Sequence, residues 1–311
     1  MLPTIALNPR ADDDDLPPLS PSLFRAFRDL AARKAGIQIR DGKEALVATR
    51  IAGRMRELSL SDPAAYLARL RHDPAGPEMV RFLDALCTTF TGFYRDPEHF
   101  SILAADAARR LARGDRRVRV WCAAAASGEE AYSAAITLCE AFAGTTMDFR
   151  VLASDLSTSA LSAAMAGRYT ARQIAPIPER LRWKHFTPVA PGTRGARGAH
   201  SSPPSARRGV LPQPLPDEPL FQVTPRLRER IVFARINLAD PPFPMTAPFD
   251  VILCRNVMIY FDPQVRQRLL DDLARLLRPG GLLMVGQGET LTGLRHQLAH
   301  VQPSVLRKPP A

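Results

Sequence analysis

Nowhere in this 311-residue chain does an apolar run approach the ~20 residues that a helix needs to span a bilayer, so membrane insertion is not expected. The start of the chain lacks a basic segment followed by an apolar core and instead carries Asp12 to Asp15 among prolines. No signal peptide is therefore expected, and a cytoplasmic location is. Cysteine is scarce: Cys87, Cys122, Cys139 and Cys254 form no CxxC pair, and each lies in an apolar context suited to a buried thiol in a reducing compartment. Of the six histidines only His296 and His300 share helical spacing, without a Cys or carboxylate nearby to complete a ligand set, so no metal is expected and a solvated tail helix is. Acids are in deficit, 31 against 42 Lys and Arg, giving a net charge of +11. That balance suits nucleic acid, a membrane surface or an acidic protein. Without a basic stripe interleaved with aromatics, nucleic acid is not expected.

What is present begins with a helical segment. Leu23, Phe27 and Leu30 recur at three-to-four spacing, as do Leu46, Ile51, Met55 and Leu58, then Tyr66, Leu67 and Leu70, then Met79, Phe82, Leu83 and Leu86. Gly36, Ser61-Asp62-Pro63 and Asp73-Pro74 punctuate them into four short helices. Residues 20–92 are read as an all-α domain, after a disordered stretch over residues 1–19. From residue 118 the pattern changes to the strand and helix alternation of a mostly parallel sheet, with strands near 118–122, 149–153, 231–235, 249–254 and 281–286. A helix over 263–277 opens on Asp262 and Pro263. The second domain is placed at 93–300, with an inserted subdomain and loop at about 170–230 and a tail at 301–311. Pro188 to Pro219 holds eight prolines with little apolar content and is read as a disordered loop.

The strand Val118 to Cys122 runs into Ala123-Ala124-Ala125-Ala126-Ser127-Gly128 and then Glu129-Glu130. Small residues before a helix start allow close approach of a nucleoside ligand, while two acids repel phosphate and suit a cation. S-adenosylmethionine, with its ammonium and sulfonium, has that character. An ordinary strand-to-helix turn is the alternative. The next strand ends at Asp155, which can accept hydrogen bonds from both ribose hydroxyls or cap the helix beginning near Ser157.

At these residues a resemblance emerges. Trp121 to Ser133 (WCAAAASGEEAYS), Ala153 to Tyr169 (ASDLSTSALSAAMAGRY), Phe249 to Asp262 (FDVILCRNVMIYFD) and Cys87 to Phe100 (CTTFTGFYRDPEHF) resemble the motifs of the CheR family of S-adenosylmethionine-dependent methyltransferases, which esterify glutamates of bacterial chemoreceptors. The likeness spans most of residues 20–292. It implies a Rossmann-like α/β methyltransferase domain, an N-terminal all-α domain and a small inserted β-subdomain, which in some members docks a receptor peptide. The Pro/Arg-rich insertion departs from that pattern.

By resemblance, the cofactor contacts are Thr89, Thr91, Arg95, Glu129 or Glu130, Asp155, Asn237, Leu238, Asn256 and Val257. Arg95 falls on the family's functionally important arginine and would orient the attacking carboxylate, or else cap the helix at Pro97. Tyr260, just past the strand 251–254, would face the methyl group or pack in the core. Arg50 and Arg54, spaced i, i+4, would engage an acidic receptor helix or form a solvated surface. Three departures stand out: Thr89 in place of Asn, Ala131 in place of Pro, and Gln287-Gly288-Glu289-Thr290 in place of His-Ser-Glu-Asn. The expectation is a monomeric methyltransferase acting on receptor cytoplasmic domains. The alternatives are a non-catalytic binding module or a methyltransferase for another acidic substrate or a small molecule.

Overall fold

The computed structural model describes residues 19–189, 218–246 and 248–310. The chain divides into two compact units, Met1–Leu86 and Cys87–Ala311, so the boundary lies six residues earlier than the sequence reading placed it. The loop read as disordered lies almost wholly outside the described residues, as does the N-terminal stretch apart from Leu19, which is buried.

In the first unit α1 (Pro21–Ala35), α2 (Glu44–Glu57), α3 (Pro63–His72) and α4 (Pro77–Leu86) follow the four apolar periodicities. Ser20 accepts a hydrogen bond from the Leu23 N–H at the start of α1, and Asp62 accepts from Ala64 and Ala65 at the start of α3. Gly36, at φ +68°, ends α1 in the left-handed conformation that glycine adopts without strain. Phe27, Tyr66 and Phe82 meet at the centre with ring centroids 5.9 to 6.4 Å apart.

Arg50 and Arg54 share a helix face as their spacing implies, but that face turns toward α4. Arg54 forks onto Glu78 at 3.0 and 2.8 Å, and Tyr66 donates to the same carboxylate at 3.0 Å. Arg50 donates to the carbonyls of Ala85 and Leu86, capping the last turn of α4. Both guanidiniums are committed to holding the helical unit together. At these positions the shared helix face makes intramolecular contacts.

The second unit runs α5 (Pro97–Ala112), β1 (Arg117–Cys122), α6 (Glu129–Ala141), β2 (Asp148–Asp155), α7 (Thr158–Ala166), β3 (Arg168–Thr170), α8 (Ala171–Ile174), α9 (Glu179–His185), β4 (Phe186–Pro188), β5 (Leu220–Val223), α10 (Pro225–Arg228), β6 (Ile231–Arg235), β7 (Phe249–Cys254), a 3₁₀ turn (Met258–Tyr260), α11 (Pro263–Leu276), β8 (Leu277–Val285), β9 (Ala299–Gln302) and β10 (Val305–Arg307). The main sheet has the order β6-β2-β1-β7-β8-β10-β9, parallel from β6 through β8, with β10 antiparallel to both its neighbours. Strand alternation sends Val118, Val120 and Cys122 into one core, with Phe149 and Tyr132, and Trp121 into the other, with Phe243 and Leu273. β1 lies between β2 and β7, and the carboxyl ends of such strands are where open α/β sheets bind ligands. The inserted β-subdomain is the antiparallel sheet β3-β5-β4.

Two further expectations change. Residues 301–311 are no simple tail: Val305 and Leu306 are buried in the main sheet, and Ser304 meets His99 at 2.9 Å. His296 and His300 do not sit on a helix; His300 lies in β9. No helix among the described residues is long and apolar enough to cross a membrane.

Candidate active site

The turn after β1 is built for close approach. Gly128 has φ +99°, and a side chain there would stand 2.8 Å from the Ala164 Cβ and 2.9 Å from the Tyr169 hydroxyl. Asp155, at the tip of β2, accepts from the Ala126 N–H at 2.8 Å on one oxygen and from the Ser157 N–H at 2.9 Å on the other. It therefore fixes the turn, while Ser157 is the actual cap of α7.

The paired acids separate. Glu129 accepts from the Ser127 hydroxyl at 2.6 Å, and burial raises its carboxyl above the usual range. Glu130 turns the other way, onto Arg255 at 3.0 Å. Burial pushes Glu130 up to about 7 against the opposing pull of that guanidinium. In the unfolded chain this carboxyl ionises near ~4.3, so between the two values only the folded protein holds the proton, and stability falls as pH rises through that window. Glu130→Gln should therefore gain on the wild type by up to about 3 kcal/mol between pH 4.5 and 8. Thermal melts across that range test this, and a difference that does not move with pH would remove Glu130 as the source.

Ahead of α5, the segment from Thr89 to Asp96 is irregular and strained. Tyr94 at φ +53° and Asp96 at φ +54° flank Arg95, both in the left-handed region that side-chain-bearing residues seldom occupy. Arg95 donates to the Phe90 carbonyl at 3.1 Å and lies 5.4 Å from the centroid of the exposed Phe90 ring. The Thr89 hydroxyl is buried without a hydrogen-bond partner, and Thr91 is half-buried beside it in sequence.

Beyond β7, Asn256 also has a positive φ of 57°. The Asn256-Val257-Met258 backbone is gathered by the Glu289 carboxylate, which accepts from their three N–H groups at 2.7 to 2.8 Å and from Gly286 N–H at 2.6 Å. A side chain at Gly286 would stand 2.7 Å from the Asn256 amide. Tyr260 is half-buried in the 3₁₀ turn that follows. Past β6, Asn237 accepts from the Ala239 N–H, and Leu238 is buried in the Trp121 core.

Asp155 thus ends β2, Asn237 and Leu238 follow β6, and Asn256, Val257 and Tyr260 follow β7, all at the carboxyl edge of the parallel sheet, and Arg255 ties the Arg95 segment to the same edge through a 2.6 Å bond to the Arg95 carbonyl. Arg50 and Arg54 lie in the other unit. Two residues escaped sequence reasoning, Arg255 and Glu289. The available signals were a charged residue immediately after a wholly buried strand and an acid kept within an otherwise altered segment.

Residues 89–197 and 215–306 match the family described as CheR methyltransferase, SAM binding domain, and residues 22–87 match the CheR methyltransferase all-alpha domain. The chain belongs to the CheR methyltransferase family. It is 34% identical over 282 residues to chemotaxis protein methyltransferase 2 of Pseudomonas aeruginosa, covering 91% of each chain. It is 35% identical over 276 residues to the chemotaxis protein methyltransferase of Salmonella typhimurium, covering 89% of this chain and 86% of that one. The Escherichia coli protein of the same name is 34% identical over 279 residues, with 90% and 88% covered. Like other CheR methyltransferases, the enzyme uses S-adenosylmethionine. One of its own residues suits that cofactor: the Thr89 hydroxyl is buried and has no hydrogen-bond partner.

Proposed function

We propose that this enzyme methylates glutamate side chains in the cytoplasmic domains of methyl-accepting chemotaxis receptors, giving glutamate methyl esters and S-adenosylhomocysteine. The observation that carries this reading is Arg95, a guanidinium held on a strained turn tied through Arg255 to the carboxyl end of β7. The bound cofactor supplies a methyl group on a positively charged sulfur, open to displacement by a carboxylate. A glutamate carboxyl ionises near ~4.3 and is already a nucleophile at neutral pH, so no general base is required. What remains for the protein is orientation and exclusion of water.

Arg95 orients the incoming carboxylate, since a planar fork can hold one oxygen while the other attacks. Tyr260 lines the same edge and presents its hydroxyl to the reacting groups. On the cofactor side, Asp155 holds the ribose, Asn237 and Leu238 flank the adenine, and Asn256 and Val257 hold the methionine end with Thr89, Thr91 and Glu129. Glu129 is assigned in preference to Glu130 because Glu130 is engaged by Arg255.

Asp155→Ala should weaken S-adenosylhomocysteine binding by about 1.5–3 kcal/mol, the worth of hydrogen bonds to a charged acceptor. Calorimetry on a folded variant decides this, and unchanged affinity would take Asp155 out of the ribose site. The activity itself is tested by transfer of tritium from labelled S-adenosylmethionine to receptor-containing membranes. Label released by mild alkali marks an ester. Stable label would point to a different acceptor, and no label under any condition would sink the proposal.

A further inference from the structure

Arg255 is the residue after β7, and its side chain is only 1% exposed. Its guanidinium reaches three segments of the chain. Nη2 donates to the Arg95 carbonyl at 2.6 Å and to the Asp96 carboxylate at 2.5 Å, while Nη1 donates to Glu130 at 3.0 Å on the first turn of α6. The Phe100 ring of α5 lies 5.8 Å away. A lysine could not copy this arrangement, because one point charge replaces a rigid fork that meets acceptors in fixed directions.

The backbone that Arg255 grips is the strained one. Tyr94 and Asp96 both hold positive φ, and Arg95 sits between them. Each such residue costs of order 1–3 kcal/mol and persists only where its surroundings over-determine it. The Tyr94 N–H is held from one side by the Ser133 hydroxyl at 3.0 Å. The Arg95 carbonyl and the Asp96 carboxylate are held from the other side by Arg255.

We infer that Arg255 is a positioning residue for the methyl transfer: buried at the carboxyl end of β7, it locks the Tyr94-Arg95-Asp96 turn so that the Arg95 guanidinium is aimed at the incoming carboxylate. The inference rests on the orienting role proposed for Arg95. Arg255 itself is too deeply enclosed to meet a protein substrate, so its influence passes through the turn.

The test is a double-mutant cycle on the full-length enzyme, with receptor membranes and labelled S-adenosylmethionine. Arg255→Lys should lower kcat by ~100-fold, the scale for displacing a reacting group by about an ångström, and leave S-adenosylhomocysteine affinity within about 2-fold. In an Arg95→Lys background the same replacement should change kcat by no more than about 2-fold, because the group it positions is already gone. A purely structural arginine would instead cost the same factor in both backgrounds, and that multiplicative result overturns the positioning role while leaving Arg95 in place. If Arg95→Lys alone keeps wild-type kcat, both readings fall together, since nothing is left to position. Should Arg255→Lys melt without a cooperative transition, Asp96→Asn enters the same cycle. It removes one arm of the clamp and should cost ~10-fold in kcat only when Arg95 is present. An equal loss in both backgrounds overturns the proposal.

Discussion

Glu289→Gln is expected to weaken S-adenosylhomocysteine binding by ~100-fold and to destabilise the methyltransferase unit by about 3 kcal/mol or more. The Glu289 carboxylate accepts four backbone N–H groups, from Asn256, Val257, Met258 and Gly286. A glutamine keeps one acceptor oxygen and turns an NH₂ toward the other donors, so about two N–H groups lose a charged partner and face a donor instead. Each such bond is worth about 1.5–3 kcal/mol, and a buried donor left unmet adds its own desolvation cost. Asn256 feels this most, because its backbone sits at φ +57°, a conformation that asparagine tolerates but does not hold by itself. Released from Glu289, the turn would sample other conformations, and the cofactor would have to restore the bound one at the expense of its affinity. Calorimetric titration and thermal melts measure the two effects separately. Intact affinity in the variant would show that the turn holds its shape without the carboxylate. Glu289→Asp, which keeps the charge on a shorter stem, should fall between the two.

Much of the fold was legible because its signals are local. The apolar runs at 118–122, 231–235 and 249–254 carry turn residues at their ends and coincide with β1, β6 and β7. Where pairing over distance decides, the sequence was silent. All four residues of β9 are exposed and show no alternation, so only its partner β10 makes it a strand. The start of β8 runs through Arg278-Pro279-Gly280-Gly281, an ordinary stop signal in sequence. There, hydrogen bonds from the Gly280 N–H to the Lys308 carbonyl and from the Lys308 N–H to the Gly281 carbonyl override it.

The same division runs through the site. Asp155 and Tyr260 were singled out as candidates because strand ends can be counted from apolar runs and ligands bind at strand ends, and Asn256 was singled out by resemblance. Arg255 and Glu289 were not, since each acts on backbone brought to it by the tertiary fold. Arg255 reaches the Arg95 carbonyl across 160 positions of sequence. Helical spacing likewise says that Arg50 and Arg54 share a face but not what that face meets. In this chain it meets Glu78 and the end of α4.

The opposite edge of the sheet should govern stability without touching chemistry. Asp250, near the start of β7, is fully enclosed and accepts from Arg110 at 2.6 Å, from the Arg119 N–H at 2.7 Å and from Arg278 at 3.0 Å. Arg110 is itself enclosed and also binds Asp106 at 2.6 Å. Removing one member of such a buried network leaves the others charged and unpaired, which typically costs about 3–5 kcal/mol, whereas removing both partners of a pair costs less than the two single losses together. Asp250→Ala should therefore lose about 3–5 kcal/mol of unfolding free energy, and the Asp250→Ala, Arg110→Met double variant should recover part of it. Because these groups sit at the amino ends of the strands, with Asp155 and Asn256 at the carboxyl ends, kcat and the KM for S-adenosylmethionine should stay at wild-type values wherever the variant remains folded. Denaturant titration supplies the stabilities and receptor methylation the kinetics. A kinetic defect in a stably folded Asp250→Ala enzyme would mean that strain at one end of β7 reaches the site at the other. Full additivity of the two substitutions would mean that Arg110 and Asp250 do not depend on each other.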